Sequence, residues 1–385
     1  MQNLISNIQK NRSVSRNSNL ELYRIIVMIL IIAHHYVVNS GLIASTGPIY
    51  SNVLSVPSQF LLLFGAWGKT GINCFVLITG YFMCKSQITA KKFAKLLFEI
   101  IFYRVVIGVI FGITGYAPFN LKIIIKMLLP VTSVHHNFTG CFLIFFLCIP
   151  FLNKLIHNLN EKQHIYLILI SLFTYVFFGT VPIASLAMNY VSWFMVLFFI
   201  ASYVRIYPKR IFENKKFWGI MTLASVLVSS ISIVACSWLS AKMGARLSYY
   251  FVTDSNTFLA VLTGVCSFMY FKNINIKPSR VINTISATTF GVFLIHANST
   301  AMRQWLWVDV LDNVGMYGSP LMPVHAVVSV IVVFIICSLI DMLRIRFIEK
   351  PFFEFWDKHW DKFCHKFITL ENKMCERLKI GHSQD

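Results

Sequence analysis

Residues 21–35 read Glu21-Leu22-Tyr23-Arg24-Ile25-Ile26-Val27-Met28-Ile29-Leu30-Ile31-Ile32-Ala33-His34-His35. The stretch is apolar enough to cross a bilayer, yet it carries a glutamate, an arginine and two histidines. Ionisable groups inside such a segment are costly, so each is a functional candidate by default. Eleven helical steps of about 100° come to roughly 1100°, only about 20° beyond three full turns. Arg24 and His35 therefore share a face, about 16 Å apart along the axis, and His34 points about 80° away. His35 is expected near the middle of a hydrocarbon core about 30 Å thick.

Apolar runs of about twenty residues recur outward from this segment, the pattern of a multi-pass membrane protein. Of the 385 residues 57% are hydrophobic and only 13% charged, whereas about a quarter are charged in a soluble domain. The fold class is all-α, a transmembrane helical bundle of about ten spans. They are placed near 20–42, 58–83, 94–115, 139–156, 164–181, 187–206, 216–239, 257–272, 283–301 and 324–345. The first run lacks a small-residue cleavage site and is read as a retained helix. Three parts follow: a cytoplasmic segment 1–19, a transmembrane region 20–345 and a basic amphipathic tail 346–385. The tail mixes Phe352, Phe353, Phe355, Trp356 and Trp360 with lysines, as interfacial segments do.

A net charge of +19 raises the question of nucleic acid. Its placement points to orientation instead. With both termini cytoplasmic, 27 of the 34 Lys and Arg flank cytoplasmic span ends; Lys69, Lys122, Lys126, Lys242, Arg246 and Arg303 lie opposite, and Arg104 lies within a span. This is the positive-inside asymmetry; a nucleic-acid binder would gather its charge on one soluble face. The partners expected are membrane lipids and no nucleic acid. The nine cysteines are scattered without metal-ligand spacing, so packing is expected and neither a disulfide nor a metal site is. His135-His136 have no partner at metal spacing.

Several strings carry a resemblance. They are Asn19-Leu20-Glu21-Leu22-Tyr23-Arg24 running to His35, the glycine-rich 68–82 stretch ending Gly80-Tyr81-Phe82, and Pro150-Phe151-Leu152-Asn153. Trp193-Phe194 with Ala201-Ser202-Tyr203-Val204-Arg205, then Thr289-Phe290-Gly291 to His296-Ala297-Asn298, then Ile348-Glu349-Lys350-Pro351 complete the set. In order and spacing they resemble the membrane acyltransferase-3 family, whose members O-acylate polysaccharides and other surface molecules. Phe138-Thr139-Gly140 stands where many relatives carry a Trp/Tyr-rich string. The soluble hydrolase-like domain fused to some relatives is not found in this sequence.

The resemblance implies transfer of an acyl group, acetyl by family precedent, from acyl-CoA to a hydroxyl of a surface glycan or its lipid-linked precursor. Acetyl-CoA or another acyl-CoA is then a donor substrate, and no tightly bound cofactor is implied. His35 suits proton removal from the hydroxyl, because imidazole titrates near working pH; a transiently acylated His35 is the alternative. Arg24, at the cytoplasmic mouth, is the candidate for coenzyme A phosphates, against a charge that only sets topology. Glu21, three residues away, is placed to orient it. Arg104 is a candidate for the donor channel. Lys69 and His296 are candidates on the acceptor side, with interfacial placement and packing as their plain alternatives. Arg303 and His325 are expected at the surface. A transporter or flippase of a glycan precursor is the competing class; broken helices in an inverted repeat would favour it. The expected location is the cell membrane.

Overall fold

The computed structural model describes residues 17–131, 137–181 and 188–360. Every regular element among them is helical. In chain order the main helices are α1 (Ser18–Val38), α2 (Val56–Phe64), α3 (Gly68–Met83), α4 (Ala90–Ile113), α5 (Leu121–Leu128), α6 (Phe138–Asn158) and α7 (Glu161–Leu172). They continue as α8 (Tyr190–Ile206), α9 (Lys215–Met243), α10 (Phe258–Asn273), α11 (Arg280–Ala287), α12 (Thr289–His296), α13 (Thr300–Gln304) and α14 (Met322–Arg344).

Seven helical stretches are long and apolar enough to cross a membrane, and α8 and α10 are shorter apolar helices of 17 and 16 residues. Two expected spans are interrupted. The second breaks at Gly65–Trp67 between α2 and α3, and the ninth breaks at Thr288 between α11 and α12, of eight residues each. Pro150 sits inside α6 without ending it. The seven described cysteines are free thiols. Residues 1–16 and 361–385 of the expected terminal segments lie outside the described residues, as do His135 and His136.

The chain divides into two compact units, one through Ser338 and one from Leu339 onward. The first is built on α1 and α3. Leu20, Tyr23, Val27, Ile31 and Ile32 of α1 are buried at helical spacing, and α1 packs against α3, α10, α11 and α12. In turn α3 packs against α8 and α10, and α9 lies along α10. Serines 225, 229, 237 and 240 form the buried face of α9, and Ser229 meets the Thr263 hydroxyl at 3.3 Å. Small residues permit such close helix approach in lipid, where apolar side chains gain nothing by leaving the solvent. The opposite face of α9 exposes Ile220, Leu223, Leu227, Ile231, Val234 and Trp238. In the second unit Arg344 bridges Asp341 and Glu349, each at 2.6 Å.

α1 ends at Val38, because Ser40 Oγ turns back to the Tyr36 carbonyl and Gly41 follows at φ +87°. His35 thus lies one turn from the helix end.

Candidate active site

A cavity of about 970 Å³ opens where the last turn of α1, the first turns of α3, α6 and α8, the second half of α4 and residues 293–303 converge. α5 lies along it through Ile123, Lys126 and Met127. His34, His35, Lys69, Arg104, Lys126 and Arg303 all line it. Three of the expected site residues, His35, Lys69 and Arg104, therefore share one space.

His296 stands directly behind His35. It is fully buried at the end of α12, with its Nε2 3.0 Å from His35 Nδ1 and its Nδ1 2.6 Å from the Val292 carbonyl oxygen. The oxygen can only accept, so His296 carries its proton on Nδ1 and presents a lone pair at Nε2. His35 must then donate from Nδ1, which leaves the His35 Nε2 lone pair free. A histidine is aimed and its tautomer fixed by what its other nitrogen touches; here a second histidine and a peptide carbonyl do that work. The i, i+4 bond from His296 to Val292 follows from helix geometry, but its partnership with His35 spans 261 residues and is set by the fold.

His34 serves the backbone. Its Nδ1 lies 2.6 Å from the Gly65 carbonyl, one of the groups left without a helical partner where α2 breaks. The ring lies against Gly68, where a Cβ would fall 2.2 Å from His34 Cγ. The glycine string of the second span is thus a seat for an imidazole.

Lys69, on the next residue, reaches across to Tyr190 OH at 2.9 Å and Asp254 Oδ1 at 3.4 Å. Tyr190 OH also approaches Asp254 at 3.4 Å. The ammonium is held at the cavity wall by one phenol and one carboxylate. Arg104 donates to the Lys126 carbonyl at 2.7 Å and the Pro130 carbonyl at 3.5 Å. It therefore stands at the same end of the bundle as Lys69 and caps the last turn of α5, where cations suit the helix dipole. Nearby, Tyr116 donates to Asp309, and that bond pushes the phenol up to about 12.

Arg24 and Glu21 lie at the other end of α1 and are not among the cavity-lining residues. Arg24 pairs with Glu21 at 3.2 Å. Glu21 is buried and also accepts from the Ser286 hydroxyl of α11. The Arg24 guanidinium lies 5.9 Å from the Phe82 ring centre, and Arg205 stacks on Tyr81 at 4.6 Å while donating to its hydroxyl at 2.7 Å. No single passage joining Arg24 to His35 is displayed by the cavity.

Sequence reading missed four roles. Asn19 donates to the carbonyls of Phe271, Lys272 and Ile274, closing the end of α10. Asn73 accepts from Trp193 Nε1 at 2.9 Å and donates to the Ser255 carbonyl at 2.6 Å, tying α3 to α8 and to the turn before α10. Arg303 was expected at the surface but is half-buried in the cavity. Its signal was present: an arginine on the side where positive charge is sparse has no topological reason to be there. His325 also departs from expectation, with Nδ1 2.8 Å from the buried Tyr36 hydroxyl. Among the described residues no cluster of His, Cys, Asp and Glu has the arrangement of a metal site.

Comparison with known proteins finds no match among curated proteins and none among solved structures. A family model described as an acyltransferase domain matches residues 17–342, from the turn before α1 into α14. That span holds the imidazole pair, the cation-lined cavity and every string that suggested the resemblance except Ile348-Glu349-Lys350-Pro351, which follows it. The chain belongs to the acyltransferase-3 family of membrane acyltransferases.

Proposed function

We propose that the protein moves an acyl group, acetyl in the first instance, from acyl-CoA to a hydroxyl of a cell-surface glycan or its lipid-linked precursor. The carrying observation is the chain His35 Nδ1, His296 Nε2, His296 Nδ1 and Val292 carbonyl, at 3.0 and 2.6 Å, on the wall of the cavity. It leaves His35 Nε2 as the open base.

In the proposed reaction the acceptor hydroxyl gives its proton to His35 Nε2 as its oxygen bonds to the thioester carbon. The resulting oxyanion faces the Lys69 ammonium. Collapse breaks the carbon–sulfur bond, and the departing thiolate takes the proton from His35. Such proton transfer contributes about 10²–10⁴-fold. With both termini cytoplasmic, as the charge asymmetry supports, the cavity faces the outer side and receives the acceptor. Arg24 then lies at the inner face, about 16 Å along α1 from His35. Together with Arg205 beside Tyr81-Phe82, it offers guanidinium groups to the phosphates of the donor.

Purified protein given radiolabelled acetyl-CoA and candidate glycans tests the reading. Label reaches a hydroxyl in the wild type and is lost in His35→Ala. Label transfer that survives His35→Ala removes His35 from the chemistry. Label trapped on the protein before acceptor is added would select the acylated-histidine variant.

One observation favours a transporter: two of the apolar segments are interrupted, as substrate-binding helices of transporters are. In a five-plus-five inverted repeat, however, the partner of the interrupted second segment is the seventh. That segment is α9, which runs unbroken for 29 residues. Export of glycan without acylation would reverse the choice.

A further inference from the structure

Among the described residues the cavity wall carries four cationic side chains, Lys69, Arg104, Lys126 and Arg303, and not one aspartate or glutamate. Three of the four have accountable positions. Lys69 is paired with Asp254 and Tyr190. Arg104 caps α5. Lys126 is exposed on the rim. Arg303 differs. Its Nε is buried without a hydrogen-bond partner, and among the described residues its guanidinium has neither an ion pair nor a hydrogen bond. A guanidinium half-buried at a cavity wall, with a buried donor left unpaired, has hydrogen-bonding capacity that a ligand entering the cavity can complete. A guanidinium fork matches a carboxylate or phosphate with two parallel bonds.

Resting on the acyltransfer reading above, we infer that the acceptor is an acidic sugar or polyol, and that Arg303 binds its carboxylate or phosphate beside the hydroxyl to be acylated. The anion sits at the His35 end of the bundle, the end remote from Arg24, so it belongs to the acceptor rather than to the nucleotide of the donor. Arg104 and Lys126 add to the field that draws an acid into the cavity.

Two measurements test this. In the first, thermal unfolding of the purified protein is followed with methyl glucuronide, glycerol 1-phosphate or neutral methyl glucoside. At least one acid raises the midpoint at concentrations where the glucoside does not. Arg303→Gln weakens that response about tenfold or more, the worth of one charged hydrogen-bond pair. Arg303→Lys weakens it less and covers the case in which the glutamine variant does not fold. An equal response to the neutral sugar, or an unchanged response in Arg303→Gln, overturns the inference.

In the second, label transfer is resolved into kcat and KM. Arg303→Gln raises KM for an acidic acceptor about tenfold or more, with kcat and the KM for acyl-CoA held. A loss of kcat shared by acidic and neutral acceptors would assign Arg303 to the oxyanion and overturn it. A rise confined to the KM for acyl-CoA would assign the guanidinium to the donor and overturn it equally. If the wild type transfers label to no acceptor, the acyltransfer reading falls, and the unfolding measurement still decides whether Arg303 holds an acid.

Discussion

In the proposed reaction His35 serves as a base only while its Nδ1 stays occupied, and His296 is what occupies it. Replacing His296 by phenylalanine keeps a ring in the space and removes the acceptor. We expect His296→Phe to lower kcat about 10–100-fold, the usual cost of losing a group that orients a functional histidine. The KM for acyl-CoA should stay unchanged, which steady-state label transfer will check; a fall in both would signal general disorder. Gly68 is the second residue with a sharp consequence. Gly68→Ala sets a methyl group 2.2 Å from His34 Cγ, so the ring must leave the Gly65 carbonyl. Thermal unfolding should show a loss of about 1–3 kcal/mol, as in other overpacked sites. Combining it with His34→Ala should recover part of that loss, the sign that the two residues share one interaction. At this scale the sequence was half legible. Helical arithmetic put Arg24 and His35 on one face, but it dismissed His34 as rotated away. A histidine that satisfies a helix break cannot be recognised until the break is seen. Nor could His296 be promoted to His35's partner across 261 residues, though it was a candidate.

The elements are held together by polar groups of α1 and α3 that reach far in sequence. Asn19 closes the end of α10 with three bonds to carbonyls more than 250 residues away. Asn19→Ala strands those buried acceptors, and we expect about 1–3 kcal/mol of destabilisation in a thermal melt, with residual activity per folded molecule intact. α5 depends on a different tie. Arg104→Gln removes the 2.7 Å bond to the Lys126 carbonyl, and amide hydrogen exchange in residues 116–131 should quicken while α3 stays protected. Unchanged exchange there would show that packing alone holds α5. Helices were legible from apolar runs because the seven long apolar stretches, and the shorter α8 and α10, are apolar enough to register. The interruptions were not. Gly65-Ala66-Trp67 and Thr288 carry no proline; the first break is met by His34, 31 residues away, and at the second the Thr288 amide and hydroxyl both turn back to the Ile285 carbonyl.

For the molecule as a whole, the expected topology follows from where lysine and arginine lie, and it can be measured directly. In a cysteine-free background, Lys126→Cys should react with a membrane-impermeant maleimide on intact cells, and Lys85→Cys only after permeabilisation. The reverse pattern would turn the cavity to the cytoplasm and make it the donor's site. The fold class was readable because composition alone excludes a water-soluble chain of this length. The cavity was not, since its walls come from stretches scattered between residues 31 and 303, and its charge shows only once Arg303 turns inward.

The length of α9 has its own consequence. Its apolar stretch from Phe217 to Leu239 spans about 35 Å at 1.5 Å per residue, against a hydrocarbon layer of about 30 Å. At one end the Trp238 ring has Lys242 Nζ 3.7 Å from its centre, the kind of pair expected at the headgroup level. Such a mismatch is relieved by leaning or by local thickening, at a fraction of a kcal/mol per Å. Because α9 is locked to α10 by its serine face, it cannot lean alone. Reconstitution in lipids of graded chain length should therefore show an optimum thickness for turnover, making the surrounding bilayer a tuning element of the enzyme.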